Sequence, residues 1–337
     1  MPEFPAVSSE DISKAMLELA DEPTTLMFHA EMLPPITDSV GDDVQKSYPP
    51  LRPSGPLDHY QTFLDSRPVV FETCAIDEVI YLAHLAPRLP LHIVHLSAIE
   101  AIPALRAARD RGVNITAETC FHYLSLAAEN IKNGDTRHKC CPPIRGSTNQ
   151  DGLWTELTKP LSEDSVIKTV VSDHSPCTPN LKLLPIDIGG NDGDGADKEK
   201  DRGDFFGAWG GISSVGLGLS ILWTERHQGR RKFEIEDVVR WCCVNTSKQV
   251  GLEQLKGALA VGMDADIAVF DDEAEFLVEP STMLFRNKCS PYENKTLRGV
   301  VKETWLRGQK IHTRQDGFVE GEQGGPVGQL LLEPRSS

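Results

Sequence analysis

The sequence predicts an α/β fold of the barrel type, in which parallel strands deliver chemically active side chains to one edge of a sheet. Three observations carry this expectation. First, three apolar runs each stop at a residue of metal-ligand type: TTLMFHAE (24–31) at His29, LHIVHLS (91–97) at His95 and IKTVVSDHSPC (167–177) at Asp173. Such runs read as strands buried on both faces, and barrel enzymes place their reactive residues at the carboxyl ends of these strands. Second, strand-like and helix-like segments alternate from residue 8 to residue 118, the βαβ pattern of a parallel sheet. Third, the pattern changes after Leu255, where KGALAVGMDADIAVFD (256–271) and VVKETWLRGQKIH (300–312) read as turns and strands of a small separate β element. Imidazole and carboxylate are common ligands of catalytic zinc. Together His29, His95 and Asp173 point to a metal site, although each alone also fits a structural hydrogen-bonding role.

The elements follow in chain order. Ser8 and Ser9 can cap a helix reaching about Ala20, with Ile12, Met16 and Leu19 at helical spacing, and Pro23 breaks it before the His29 run. Residues 32–67 are rich in Pro, Asp and Ser and read as a long loop, the kind that forms binding sites at a barrel mouth. Thr73 is expected to cap a helix whose Ile76, Val79, Ile80 and Ala83 share one face. After the His95 strand, Ser97 and Glu100 have capping-box spacing. They are expected to open a helix through Leu105 and Ala108 that Gly112 closes, followed by a strand from Val113 to Glu118. Residues 119–165 are mixed and contain a basic, cysteine-rich patch, RHKCCPPIR (137–145). The segment 186–204 carries seven acidic residues, three basic ones and five glycines, a composition that predicts a mobile loop. It lacks the acidic spacing of a calcium loop, and FFGAWGGISS (205–214) lacks the spacing of a phosphate fingerprint. A helix is expected from Ile235 to Val250, ended by Gly251, and the hairpin at 300–312 turns at Arg307-Gly308.

Composition narrows the function classes. A formal net charge of −16 over 337 residues argues against nucleic-acid partners and anionic membrane surfaces. No run approaches the ~18 apolar residues of a membrane span. The first residues do not form a signal peptide, and EPRSS is no peroxisomal tripeptide. The eight cysteines form no C-x-x-C pair and read as reduced thiols, so the expected location is cytoplasmic. Among the remaining candidates, His92 is expected to face away from the site in a structural role. His59, His84, His138, His227 and His312 are expected at the surface. Asp264 and Asp266 read as turn residues that cap backbone N–H groups, and Cys242 and Cys243 as helix packing.

The motifs FHAE (28–31), RPVVFETCAI (67–76), HLS (95–97), ETCFHYL (118–124), KCCPPIR (139–145), SDHSPC (172–177), GDFFGAWGGISS (203–214), KGALAVGMDADIAVFD (256–271) and NKCSPYENKTLRGVV (287–301) follow one another along nearly the whole chain. In this order they resemble the allantoinases, members of the cyclic amidohydrolase group with dihydroorotases and dihydropyrimidinases. Phe121 departs from the Pro usual in ETCPHYL, and the acidic stretch at 187–204 is longer than usual.

The resemblance implies part of a (β/α)8 TIM barrel over residues 1–250, with the mobile acidic loop at 186–204. It implies part of a small β-sandwich over 251–314 and a disordered tail over 315–337. It implies a two-metal centre, usually zinc, whose hydroxide attacks a ring amide. His29 and His95 would bind one metal, and Asp173 would bind the other and shuttle the proton. Cys141 lies in a loop whose backbone holds the substrate ring, with Gly211 and Ile212 near the same ring. His174 and His122 fit hydrogen bonds that support the site from behind, and equally a packing role in the core. The implied reaction opens allantoin to allantoate, with this small molecule as the partner and a homo-oligomer, a tetramer in the family, as the assembly. The family also uses an H-x-H pair and a CO₂-carboxylated lysine upstream of the FHAE motif. Neither precedes His29 here, so the chain is expected to carry strand equivalents five to eight, as a truncated or short form, and to be inactive by itself. The alternatives are dihydroorotase, dihydropyrimidinase or hydantoinase activity, or a non-catalytic assembly protein on the same fold.

Overall fold

The computed structural model describes residues 6–33, 51–190, 202–229, 231–319, 325 and 327–331. The chain opens with α1 (Ser9–Glu18), where Ser8 and Asp11 form a reciprocal capping box and Met16 enters the core. There follow β1 (Leu26–Phe28), α2 (Tyr60–Asp65), α3 (Val70–Leu82), β2 (Leu91–Ile93), α4 (Ile102–Asp110), β3 (Ile115–Cys120), α5 (Phe121–Ser125), α6 (Ser147–Leu157) and β4 (Ile167–Val171). The four strands pair in parallel in the order β1-β2-β3-β4. This is the α/β arrangement that the alternating pattern predicts. Strands β2 and β3 are almost wholly buried, as expected of strands covered on both faces.

The predicted boundaries differ from the structure where distant residues take over a local task. Thr73 lies inside α3, whose N-cap position is Val69. The capping box expected at Ser97 and Glu100 does not form. Instead the carboxylate of Glu72, from α3, accepts the N–H groups of Ser97 and Ala98 at 2.9 and 3.1 Å. Asn149 accepts that of Ile99 at 3.0 Å, and the Ser97 hydroxyl donates to the Pro143 carbonyl. The "loop" at 32–67 contains α2, while residues 34–50 lie outside the described residues. Residues 191–201 of the acidic stretch also lie outside them. The basic patch at 137–145 is turned inward: Arg137 pairs with Asp135 and Glu293, and Arg145 pairs with buried Glu72. His138 and His312 are buried rather than superficial. His138 is held against Asp135, and His312 stacks edge-on to Phe318.

The second half begins with α7 (Gly218–His227) and continues through α8 (Ile235–Val239), a π-turn at Arg240–Val244 and α9 (Asn245–Gln249). The π-turn divides the helix expected over 235–250, and Gly251 ends it at φ +72°. An antiparallel sheet follows, β5 (Ile267–Leu277), β6 (Thr296–Leu306), β7 (Gln309–Thr313) and β8 (Gly317–Phe318), paired in that order. Arg307 and Gly308 both take positive φ, as a tight hairpin turn requires. The pairing of β8 brings residues 317–318 into the sheet rather than the tail; residues 320–324, 326 and 332–337 lie outside the described residues. Asp264 and Asp266 share Lys256, and Asp266 accepts the Arg307 N–H. Helix α7 links this sheet to α5: Ser220 donates to the Gly299 carbonyl, Trp223 packs edge-on against Phe270, and Gly218 lies against the Phe121 ring.

Candidate metal centre

Every strand of the parallel sheet ends in a side chain that can bind a metal. His29 follows β1 by one residue, His95 follows β2 by two, Cys120 closes β3, and Asp173 follows β4 by two. His95 and Asp173 sit at φ +41° and +44°, a backbone region that costs a non-glycine residue about 1–3 kcal/mol. Asp164, Leu183, Asn294 and Arg307 also have positive φ, but these lie at turns and 3₁₀-helix ends. His95 and Asp173 are instead bent out of the strand direction at the sheet's carboxyl edge, where ligand sites of parallel sheets form.

The side chains gather in two groups. The rings of His29 and His95 meet edge to face with centroids 4.6 Å apart. Cys120, His122 and Asp173 each offer one ligand atom, and these atoms lie within 4.8 Å of one another. His29, His95 and Asp173 line a single cavity of about 540 Å³, with Cys141 and Gly211 on its opposite loops. Ile212 does not line it. Its side chain is in the core, and its backbone pairs with Ser175. Gly211 approaches that segment so closely that an added Cβ would lie 2.2 Å from the Ser175 carbonyl oxygen. His174 Nδ1 accepts the N–H groups of Ser214 and Val215 at 3.1 and 3.2 Å. His92 bridges Thr116 and Glu118 inside the sheet.

Electrostatics define the protonation states. Burial, and then the neighbouring His29, push His95 down to about 3. Burial, and then His95, push His122 down to about 3. Both rings are therefore neutral near pH 7. Burial, reinforced by Glu118 and opposed by His29, pushes Asp173 up to about 6. Glu31 accepts from His29 Nε2 at 2.9 Å and from Arg67 at 2.9 Å. Burial would raise its carboxyl, but Arg67 and His29 outweigh it and hold it down to about 2. Arg67 thus fixes Glu31, and Glu31 fixes the tautomer and plane of His29, leaving Nδ1 of that ring to bind. This is how carboxylates orient metal-binding imidazoles.

These residues fit a cation. Among the described residues, His95 Nδ1 and both ring nitrogens of His122 are buried without a hydrogen-bond partner, and buried polar atoms of this kind are rare unless something satisfies them. Neutral imidazole, thiol and carboxylate suit zinc better than magnesium or calcium. Cys120, His122 as a candidate donor, and the Glu31–Arg67 pair are absent from the ligand set read from the sequence. Cys120 ends β3, two residues beyond the Glu118 boundary that the sequence predicts, so the strand-end pattern does not single it out in the sequence.

The same shifts predict how metal-free protein responds to acid. His95 and His122 have folded pKa values far below the unfolded value. Their stabilising contribution is complete above about pH 6.5 and is lost as pH falls toward 3. Asp173 has the opposite sign: its contribution is complete below about pH 4 and is lost as pH rises through about 6. Between pH ~4.5 and 6 the two histidines outweigh the one carboxylate. Stability of chelator-treated protein should fall by about 1.4 kcal/mol per pH unit of acidification, measured by urea unfolding. A flat or inverted profile would show that the two rings are not buried as neutral groups.

Ligand-type side chains at the carboxyl edge of a parallel sheet, opening on one cavity, are the arrangement of α/β metal-site enzymes. The chain belongs to the amidohydrolase family, whose pattern matches residues 77–311. It is 43% identical to an allantoinase of Saccharomyces cerevisiae over 335 residues, which covers 99% of this chain and 64% of that protein. It is 40% identical to an allantoinase of Streptomyces avermitilis over 330 residues, covering 98% of this chain and 63% of the relative. The chain thus spans less than two thirds of the length of these relatives. Among solved structures, it superposes on a D-hydantoinase from a Bacillus species with TM-score 0.71 at 26% identity, covering 93% of this chain and 62% of that one. It superposes on the L-hydantoinase of Arthrobacter aurescens with TM-score 0.73 at 23% identity, covering 94% and 63%.

Proposed function

We propose that the protein is an allantoinase-type, metal-dependent cyclic amidohydrolase that opens the ring of allantoin to give allantoate. The observation that carries this reading is the single cavity joining His29, His95 and Asp173, in a chain whose 40–43% identical relatives are allantoinases. We assign zinc as the metal, with His29 and His95 as ligands of one ion and Asp173 as a ligand of the other. When bound, zinc supplies Lewis acidity at a carbonyl oxygen and lowers the pKa of water toward neutrality. Asp173, as carboxylate, accepts a proton from the attacking water and then, as the acid, delivers it to the ring nitrogen that leaves. Cys141 and Gly211 form the wall against which the ring lies. Residues 1–250 are assigned to part of a (β/α)8 barrel and residues 251–318 to part of a β-sandwich, in a homo-oligomeric protein. Among the described residues no helix is long and apolar enough to cross a membrane.

Hydantoinase activity is the second reading, favoured by the solved structures that share the fold. Offering allantoin, hydantoin and dihydroorotate with zinc to the protein restored to the length of its relatives decides between them. Allantoin should turn over fastest, and turnover of another ring without allantoin overturns the proposal. Within this reading, Glu31→Gln should weaken zinc binding about 10- to 100-fold, because His29 loses its orienting carboxylate. Competition with a zinc-binding dye measures this. An unchanged affinity would show that Glu31 serves only Arg67.

A further inference from the structure

Lys182 ends a 3₁₀ turn at Pro179–Lys182 and is 3% exposed. Its ammonium group donates to three backbone carbonyls: Trp209 at 3.0 Å, Lys139 at 3.5 Å and Gly211. No carboxylate pairs with it among the described residues. A buried ammonium is costly unless fully hydrogen-bonded, and an apolar side chain could fill this volume without that cost, so the charge calls for a task. The three carbonyls belong to the two loops that wall the cavity. Those loops are also tied by the Gly211 N–H to the Lys139 carbonyl at 2.8 Å, and the Trp209 N–H holds the second of them to the Leu181 carbonyl of the Lys182 turn at 2.8 Å. A second buried lysine, Lys139, holds the Phe206 and Ala208 carbonyls of the same loop.

In a trans peptide the C=O and N–H point in opposite directions. With the Lys139 and Trp209 carbonyls turned toward Lys182, the N–H groups of Cys140 and Gly210 face away from it. Both residues line the cavity. Neither N–H has a hydrogen-bond partner among the described residues. A positive charge at the carbonyl end also polarises each peptide and strengthens its N–H as a donor.

We propose that Lys182 is a positioning residue for substrate recognition: its ammonium fixes the 139–140 and 209–210 peptides so that the N–H groups of Cys140 and Gly210 converge on a carbonyl oxygen of the cyclic amide. The proposal rests on the reading of the cavity as a cyclic-amide site. It gives Lys182 a part in ring binding although the lysine itself does not line the cavity.

Lys182→Met tests it by two measurements. Hydrogen exchange, followed by mass spectrometry, should speed up at least ~10-fold in the segments holding Cys140 and Gly210, while helix α4 stays unchanged. KM for allantoin should rise at least ~10-fold with kcat within ~3-fold and bound zinc per chain unaltered, the pattern of lost binding rather than lost chemistry. Faster exchange with unchanged KM would make Lys182 merely structural and overturn the proposal, as would unchanged exchange. If the methionine variant does not accumulate as folded protein, Lys182→Arg keeps the charge but splays its donors in a rigid fork. Its KM should still rise about 3-fold or more, and an unchanged KM overturns the proposal. If wild-type protein turns over no allantoin, the proposed substrate fails. The exchange measurement then stands, and the KM comparison moves to whichever cyclic amide the protein does hydrolyse.

Discussion

Replacing Asp173 with asparagine should leave a folded, metal-binding protein that has lost ring opening by at least ~10²-fold in kcat, the scale for removing a general base. Asparagine has nearly the same shape, so the turn at φ +44° persists; asparagine is among the residues that tolerate this region best. Its amide oxygen can still approach a cation. It cannot accept the proton of the attacking water or hand one to the leaving nitrogen. The wild-type pH profile gives a second readout. Burial and Glu118 push the Asp173 carboxyl up and a bound cation pulls it down, so kcat/KM should fall on the acid side as the base becomes protonated. In Asp173→Asn this acid limb should vanish along with the rate. A variant that keeps more than about a tenth of wild-type kcat with metal bound would show that another group carries the proton. Glu118 is then the first candidate, because its charge acts on Asp173.

The features legible in the sequence are those set by neighbouring residues. Of the two serines expected to cap α1, Ser8 does so, and Arg307-Gly308 turn the hairpin. The apolar runs that stop at His29, His95 and Asp173 form the sheet whose edge brings those three to one cavity. What stayed hidden depends on partners far away in the chain. Ser97 and Glu100 carry a local capping pattern, yet Glu72, 25 residues earlier, takes the amides instead. Periodicity cannot report this, because a buried carboxylate already bound to Arg145 accepts those N–H groups at no further desolvation cost. Lys139 and Lys182 read as ordinary basic residues until the loops close over them. Cys120 falls under the strand-end rule only once β3 is seen to run to residue 120 rather than stop at Glu118.

Glu72 is also the residue whose removal should cost the fold most. It is 1% exposed. Its Oε1 receives Arg145 Nη2 at 2.6 Å and Nε at 3.2 Å, and its Oε2 receives the N–H groups of Ser97 and Ala98. Three segments meet there: α3, the turn that follows His95, and the loop that carries Cys141. Glu72→Ala leaves a buried guanidinium without its carboxylate and two backbone donors without an acceptor. Breaking a buried pair from one side costs about 3–5 kcal/mol, and urea unfolding should register a loss of that size. Removing both partners is gentler, since no uncompensated charge remains. The double variant Glu72→Ala/Arg145→Met should therefore be more stable than Glu72→Ala alone, by about 1 kcal/mol or more. The damage should reach the metal centre as well, because the freed Ser97 amide lies two residues from His95 and helps hold it at φ +41°. Zinc affinity of Glu72→Ala should fall even under conditions where the variant is fully folded. A loss below about 1 kcal/mol, the range of a solvent-exposed pair, would mean that water replaces Glu72 at all four donors and that the three segments hold together without it.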